Sequence, residues 1–133
     1  MIKPVFTILI TTKNRISDLA ITLRKIVHLL NRKEVVCFIC DDGSTDGTFD
    51  FISSTYPSIV LLQNKISKGL IYSRNRLLEH VTSEYAISID DDLHFLIENP
   101  LDIIEDYFQK YPKWLKKIFN IFFNTVCLDG VII

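Results

Sequence analysis

The feature that most constrains the fold of this chain is the alternation of short apolar segments with segments of helical period. Four runs rich in β-branched residues are predicted as strands, namely VFTILIT (5–11), EVVCFIC (34–40), IVLLQ (59–63) and YAISI (85–89). Their nearly continuous hydrophobicity is typical of a parallel sheet that is covered on both faces. The sequence therefore predicts a doubly wound, mostly parallel α/β sheet with right-handed crossovers.

The segments between the strands predict four helices. We expect Ser17 or Asn14 to cap the first helix, and Asn99 with Pro100 to begin the fourth. A short second helix follows Asp46, and the third begins after Gly69. The apolar positions expected to face the core are Leu19, Leu23, Ile26, Val27 and Leu30 in the first helix and Leu70, Leu77, Leu78 and Val81 in the third.

A polar cluster follows each predicted strand. The four clusters are TTKNR (11–15), DDGSTDG (41–47), NKISKG (64–69) and DDDLHF (90–95). Because the carboxyl ends of parallel strands meet at one edge of a sheet, and ligands bind there, the four clusters predict a single site.

Length and composition limit the classes of function. The 133 residues fit one domain, and the formal net charge of −1 gives no indication of a nucleic-acid partner. No segment reaches the roughly 18 apolar residues of a membrane span. The chain has three cysteines and no recognisable signal peptide, which favours the reducing cytoplasm. Cys37 and Cys40 lie three residues apart in a strand and therefore face opposite sides of the sheet. We interpret them as buried apolar residues rather than as a redox pair.

The DDGSTDG segment admits several interpretations. A phosphatase loop would need its nucleophilic aspartate where Cys40 stands, and a calcium loop of the EF-hand type would need a bidentate glutamate where Ser53 stands. The phosphate-binding patterns GxxxxGK[ST] and GxGxxG are both absent. A nucleotide pocket remains, in which Asp42 accepts hydrogen bonds from a base or ribose and Gly43 lets the backbone approach closely.

The run Asp90–Asp92 is the second informative cluster. Three consecutive carboxylates repel one another unless a cation or hydrogen-bond donors compensate their charge. A solvated acidic turn is one interpretation. The other is a divalent cation with oxygen ligands beside a nucleotide diphosphate.

Taken together, FTILITTKNR, ICDDGSTDGT, NKISKGLIYSRN and EYAISIDDDLHF resemble the family 2 inverting glycosyltransferases of the GT-A fold, over residues 3–108. The resemblance implies that Asp42 contacts the base, that Arg74 reaches the nucleotide, and that Asp92 with Asp90 holds Mg²⁺ or Mn²⁺. Serine stands at position 73, where the family usually has alanine. The nucleotide-sugar residues that the resemblance implies are Thr11, Thr12, Lys13, Asn14, Arg15, Asp41, Asp42, Gly43, Ser44, Lys68, Gly69, Arg74, Asn75, Asp90 and Asp91.

The function implied by this resemblance is metal-dependent transfer of a sugar, with inversion, from a nucleoside-diphosphate sugar such as a UDP-sugar. The acceptor is unknown, and the classes implied are a polysaccharide, a lipid-linked sugar or a protein. Family members are longer, and no residue after Asp92 is placed as the general base, so we expect an apparently truncated donor-binding portion. A non-catalytic nucleotide-sugar-binding or oligomerising module is the alternative, and a nucleotidyltransferase is less favoured because no GxGxR loop follows the first strand.

The sequence predicts a core over residues 1–108 and an apolar, helical segment over 109–133. Its apolar stripe consists of Leu115, Ile118, Phe119 and Phe122, with Trp114 beside it. The stripe indicates a homodimer interface, while three nearby lysines suit a peripheral contact with a membrane surface. The expected location is the cytoplasm, including the inner face of the membrane.

Overall fold

The computed structural model describes residues 3–112, 127–128 and 131–132, and the chain divides into two compact units, residues 1–94 and 95–133. The strands are β1 Phe6–Thr12, β2 Val35–Asp41, β3 Val60–Gln63, β4 Tyr85–Asp90, β5 Cys127–Leu128 and β6 Val131–Ile132. The helices are α1 Ile16–Leu30, α2 Thr48–Thr55, α3 Leu70–Leu78 and α4 Pro100–Lys110. Helices therefore alternate with the first four strands in the predicted order.

The first unit contains a four-stranded parallel sheet in the order β3-β2-β1-β4. The central strand β1 is almost fully buried, with Phe6, Ile8 and Ile10 at 0% exposure. Successive strands add to one side of β1 and then β4 adds to the other side, so the direction of winding reverses between β1 and β4. The predicted parallel α/β sheet is confirmed.

Helix α1 buries an apolar face that differs in detail from the predicted stripe. Leu19, Leu23 and Ile26 are buried as expected, but Leu29 is buried where Val27 and Leu30 were predicted. Val27 is 38% exposed because it lies about 100° around the helix from Ile26, outside the arc that faces the core.

The start of α1 is also different from the prediction. Neither Ser17 nor Asn14 caps the helix. The N-cap residue is Arg15, and its side chain forms no capping hydrogen bond. Instead Asp46, from the corner after β2, accepts a hydrogen bond from the backbone N–H of Ile16 at 3.0 Å. A carboxylate from another loop thus satisfies an N–H group at the helix terminus.

Helix α3 packs on the sheet through few residues. Leu77 is fully buried in a cluster with Leu9 and Cys40, whereas Leu70 and Leu78 are 52% and 39% exposed, contrary to the predicted stripe. Gly69 precedes the helix at a φ of +92°, a left-handed conformation that glycine adopts without strain.

The second unit contains α4 and the antiparallel pair β5–β6. As predicted, Asn99 precedes α4 and Pro100 is its first residue. The predicted apolar stripe from Trp114 to Phe122 lies outside the described residues. Within the described ranges, no helix combines the length and the apolar character that crossing a bilayer requires.

Candidate functional site

The carboxyl ends of β1, β2 and β4 place the predicted site residues side by side. Thr12 pairs in register with Asp41 of β2, and Thr11 pairs with Asp90 of β4. All three strands end on a polar residue, one position later than predicted. The polar corners therefore begin at a common edge of the sheet, next to the point where the winding reverses.

Asp91 connects the ends of β1 and β4. It is 7% exposed, and its Oδ2 accepts a hydrogen bond from the hydroxyl of Thr12 at 2.8 Å. Its Oδ1 lies 3.3 Å from Nε of Arg15, and its backbone carbonyl accepts a hydrogen bond from Thr22 at 2.8 Å. Both carboxylate oxygens of Asp91 therefore have partners within the protein.

Two arginines compensate the rest of the acidic run. Arg15 Nη2 lies 2.8 Å from Asp92 Oδ2 and also pairs with Asp18 at 3.2 Å, while Arg74 Nη2 lies 3.3 Å from Asp90 Oδ1. Guanidinium groups from the β1–α1 loop and from α3 thus compensate part of the charge of the three consecutive carboxylates. The acidic run is more than a solvated turn, because each carboxylate is held by a specific donor.

Burial and charge shift the titration of this cluster. Burial raises the pKa of Asp91, against the hydrogen bond from Thr12 and the charge of Arg15, which lower it. In turn the charge of Asp91, followed by that of Asp92, raises the pKa of Arg15.

Asp42 is the carboxylate of the site that accepts the most hydrogen bonds. Its Oδ1 accepts hydrogen bonds from Asn64 Nδ2 at 2.8 Å and from the N–H of Lys68 at 2.7 Å. Its Oδ2 accepts from Ser67 Oγ at 2.7 Å and from the N–H of Gly69 at 3.0 Å. Burial by itself would raise the pKa of Asp42, but these hydrogen bonds, that of Lys68 first, outweigh it and lower the pKa to about 2.

The loop after β1 contacts the two neighbouring corners. Asn14, at a φ of +52°, receives a hydrogen bond from the N–H of Thr45 at 2.7 Å and donates its own N–H to Ser44 Oγ at 2.9 Å. Lys13 Nζ donates to Ser67 Oγ at 3.0 Å. Asp41 is fully buried, and its Oδ1 accepts from the N–H of Ser44 at 3.0 Å. These bonds connect the β1–α1 loop to the corner after β2 and to the loop after β3.

Thr11 and Asn75 take no part in these side-chain hydrogen bonds. Thr11 is half-buried at the end of β1 and Asn75 is exposed on α3. Across residues 3–112, neither side chain forms a hydrogen bond with another predicted site residue. Asn75 is positioned one residue after Arg74 and therefore points in another direction around the helix.

The residues of the acidic run have the chemistry of a site for Mg²⁺ or Mn²⁺, because carboxylate oxygens are the ligands that these cations prefer. Asp90 and Asp92 are partly exposed, at 37% and 46% of their side chains. In the part of the chain that the structure describes, no three His, Cys, Asp or Glu residues converge as ready metal ligands. The carboxylates fit a cation, but arginines are paired with them in this conformation.

Sequence reasoning missed several residues that build the site. They are Thr22, Asp46, Asn64 and Ser67, together with the hydrogen-bonding role of Ser73. Asn64 and Ser67 belong to the polar segment NKISKG, which the sequence already placed at the site. The sequence did not indicate that their hydrogen-bond partner would be Asp42. Cys37 and Cys40 are buried and unbonded to each other, and burial raises the pKa of Cys37 to about 12, in agreement with the predicted apolar role.

Comparison with known proteins gives a consistent result. The family model of glycosyl transferase family 2 matches residues 7–113, most of the chain. The putative glycosyltransferase EpsE of Bacillus subtilis (strain 168) is 44% identical over 63 residues, which cover 43% of this chain and 22% of EpsE. The Escherichia coli UDP-Glc:alpha-D-GlcNAc-diphosphoundecaprenol beta-1,3-glucosyltransferase WfaP is 32% identical over 77 residues, which cover 55% of this chain and 31% of WfaP.

The fold is shared with solved glycosyltransferase structures. The mannosyltransferase PcManGT from Pyrobaculum calidifontis, in complex with GDP-Man and Mn²⁺, superposes with a TM-score of 0.70 at 22% identity. The alignment covers 81% of this chain and 33% of PcManGT, so the chain spans about a third or less of these relatives. The matching region contains all four polar corners and all of the parallel sheet except Phe6, and on that basis the chain belongs to glycosyl transferase family 2.

Proposed function

We propose that this domain binds a nucleoside-diphosphate sugar at the carboxyl ends of β1, β2 and β4, as the donor-binding part of an inverting glycosyltransferase. The observation that carries the proposal is the cluster in which Thr12 and Arg15 hold Asp91 and Asp92. This cluster lies where the winding of the sheet reverses, which is where ligands bind in open α/β sheets. Membership in family 2 supports the same assignment.

The proposed nucleotide is uridine diphosphate, with guanosine diphosphate as the second choice. The name of WfaP specifies UDP-Glc, and PcManGT was solved with GDP-Man. Arg15 and Arg74 are the groups that we propose for the diphosphate, because guanidinium groups bind phosphate oxygens in a bidentate manner. In the free domain the same two arginines pair with the acidic run.

We propose that Mg²⁺ or Mn²⁺ binds to Asp90 and Asp92. Asp91 is an unsuitable ligand because Thr12 and Arg15 already bind its two oxygens. The bound ion would neutralise the charge of the departing diphosphate. The protein's own part is to hold the two carboxylates at the end of β4. Thr12 bonds the side chain, and Thr22 the backbone carbonyl, of the residue between them.

The proposed reaction is displacement of the diphosphate at the anomeric carbon by an acceptor hydroxyl, with inversion. A general base would remove the proton of that hydroxyl. We assign no described residue to this role. The name of WfaP supports a lipid-linked saccharide as one class of acceptor, beside polysaccharides and proteins.

The proposal is tested by titration calorimetry with uridine and guanosine diphosphates in the presence of Mn²⁺. We expect saturable binding to the wild type, and a loss of about tenfold or more for Arg74→Gln, because one charge-assisted contact to phosphate is removed. The matched control is Arg24→Gln, on the exposed face of α1, which should bind as the wild type does. Absence of binding to any nucleoside diphosphate, or equal losses in the two variants, would contradict the proposal. Turnover of a bound UDP-sugar with an acceptor then separates an enzyme from a binding module.

A further inference from the structure

The loop after β3 and the first turn of α3 present large apolar side chains to solvent. Every residue from 65 to 72 is exposed, and four of them are large and apolar, namely Ile66, Leu70, Ile71 and Tyr72. These four residues are called the apolar patch below. Ile66 and Ile71 are 75% and 69% exposed. Single exposed apolar residues are common on protein surfaces, but such a concentration in one short segment marks a candidate contact surface.

The polar groups of the same segment are directed inwards. Ser67 Oγ and the N–H groups of Lys68 and Gly69 all donate to the carboxylate of Asp42, which is buried. Gly43 permits this close approach, because a Cβ at its position would lie 3.0 Å from the backbone nitrogen of Ser67. The loop is therefore fixed by hydrogen bonds, and the exposure of the apolar patch belongs to the fold rather than to a loosely held segment.

The charge around the apolar patch has one sign. The sequence contains no aspartate or glutamate from position 51 to position 78, whereas it has four basic residues there, Lys65, Lys68, Arg74 and Arg76. Lys65 and Lys68 are exposed on either side of Ile66. Lys13, from the β1–α1 loop, adds a third ammonium group beside them, because its Nζ donates to Ser67 Oγ at 3.0 Å. The surface therefore combines apolar side chains with positive charge.

A membrane surface fits this combination better than a protein partner does. Lysine is depleted in protein–protein interfaces, where its flexible side chain loses conformational freedom and its ammonium group loses water. At a membrane surface the ammonium groups stay hydrated among anionic headgroups, while isoleucine and leucine side chains enter the boundary with the acyl chains. Tyrosine is enriched at the same depth, because its ring is apolar and its hydroxyl is polar.

We propose that the apolar patch, with Lys65 and Lys68 beside it, docks the domain on the surface of a membrane that contains anionic phospholipid. This surface is separate from the predicted stripe between Leu115 and Phe122, which lies outside the described residues. The contact between Lys13 and Ser67 joins the patch to the β1–α1 loop, so docking places the proposed nucleotide site at the membrane surface. Vesicle binding is measured without a nucleotide, and the proposal therefore fails or holds independently of the proposed function.

Co-sedimentation with extruded vesicles tests the docking. We expect the protein to bind vesicles with about 30% phosphatidylglycerol about tenfold or more tightly than vesicles of phosphatidylcholine alone, because each basic residue near an anionic surface adds about fivefold. Raising the ionic strength from about 0.1 M to about 1 M should remove most of this preference, because the Debye length falls from about 10 Å to about 3 Å. Equal binding to the two kinds of vesicle, or binding to neither, overturns the proposal.

Substitutions in the segment locate the contact. Ile71→Ser should weaken binding to the anionic vesicles about tenfold, because one apolar side chain no longer enters the membrane, and Lys65→Gln should weaken it about fivefold through the loss of one charge. The matched controls are Ile21→Ser, at a residue of α1 that is 45% exposed, and Lys33→Gln, at an exposed residue after α1. Both controls should bind as the wild type does. Losses in the controls that equal those in Ile71→Ser and Lys65→Gln would overturn the proposal.

A measurement on the wild-type protein removes any dependence on the folding of the variants. NMR spectra are recorded with small bicelles that contain phosphatidylglycerol and a phospholipid spin-labelled at its headgroup. The amides of Ile66, Leu70 and Ile71 should broaden, while those of Ile21 and Lys33 remain sharp. Broadening that is confined to other residues overturns the proposal. Self-association that Ile71→Ser abolishes, seen by light scattering in a protein that ignores the vesicles, would instead identify the apolar patch as an interface between two copies of the chain and would likewise overturn it.

Discussion

The hydroxyl of Thr12 donates a 2.8 Å hydrogen bond to Asp91, and this buried bond joins the end of β1 to the turn that follows β4. The two residues are 79 positions apart in the chain. Their contact holds the side chain of the residue between Asp90 and Asp92, so we expect the stability of the fold and the geometry of the proposed cation site to depend on the same bond.

Replacing Thr12 by valine should lower the free energy of unfolding by about 1–3 kcal/mol. The variant keeps the shape of the side chain but leaves a buried carboxylate oxygen without its donor. Urea denaturation measures the change. The control is Thr55→Val at the exposed end of α2, for which a change within about 0.5 kcal/mol is expected. Equal changes in the two variants would show that the bond contributes nothing.

Replacing Arg15 by glutamine should strengthen binding of Mn²⁺ in the absence of nucleotide, by up to about fivefold. The pair between Arg15 and Asp92 is half-exposed and screened by solvent, so it competes only weakly with the cation. Electron paramagnetic resonance of free Mn²⁺ measures the affinity, with Arg24→Gln as the control of equal charge change. Weaker or unchanged Mn²⁺ binding in Arg15→Gln would mean that the arginine does not compete for Asp92.

Removing the metal should weaken binding of the nucleotide. We expect EDTA to reduce the affinity of the wild type for uridine diphosphate, whereas Asp92→Asn should bind weakly and respond little to EDTA, because it has lost a proposed ligand. Asp106→Asn, an exposed residue of α4, serves as the control and should respond as the wild type does. Binding by the wild type that is indifferent to EDTA would contradict a role for the cation.

The low pKa of Asp42 predicts a specific dependence of stability on pH. An aspartate titrates near pH 3.9 in the unfolded chain and at about 2 in this structure, so its ionised form stabilises the fold above about pH 4 by about 2 kcal/mol. This contribution is lost as the pH falls from about 4 to 2. Asp91 acts in the opposite direction, because its raised pKa favours the folded state at low pH.

The pH prediction is checked by comparing the wild type with Asp42→Asn in urea titrations. The wild type should be the more stable protein near pH 6, and the difference in the free energy of unfolding should shrink as the pH approaches about 2.5. Asp91 is present in both proteins, so its contribution cancels in the difference. A difference that stays constant over this range would mean that Asp42 titrates normally in the folded state.

The sheet could be predicted from the sequence because its signals are local. Each strand is a short apolar run rich in β-branched residues, and each ends at a polar corner, so strand order along the chain and the common edge follow from pattern alone. The same is true of the Asn99–Pro100 boundary before α4. The resemblance of the four quoted segments to family 2 is confirmed by the family model.

The internal connections of the site could not be predicted, because they join distant segments. Asp42 finds its donors 22 to 27 residues away, and the backbone N–H of Ile16 finds Asp46 30 residues away. A carboxylate in a nucleotide-binding motif gives no sign of whether its acceptors are already occupied. The compensation of the acidic run by Arg15 and Arg74 likewise depends on the packing of a loop and a helix against the end of β4.

The central claim is that a nucleotide and a cation bind at the carboxyl ends of β1 and β4, and paramagnetic broadening by Mn²⁺ tests it most directly. NMR spectra are recorded with uridine diphosphate and either Mn²⁺ or diamagnetic Mg²⁺. We predict that the amides of Thr12, Arg15 and Asp90–Asp92 broaden strongly with Mn²⁺, while those of Glu34 and Ser83, near the opposite ends of strands that are about 20 Å long, remain sharp. Broadening centred elsewhere, or spread evenly over the protein, would contradict the account.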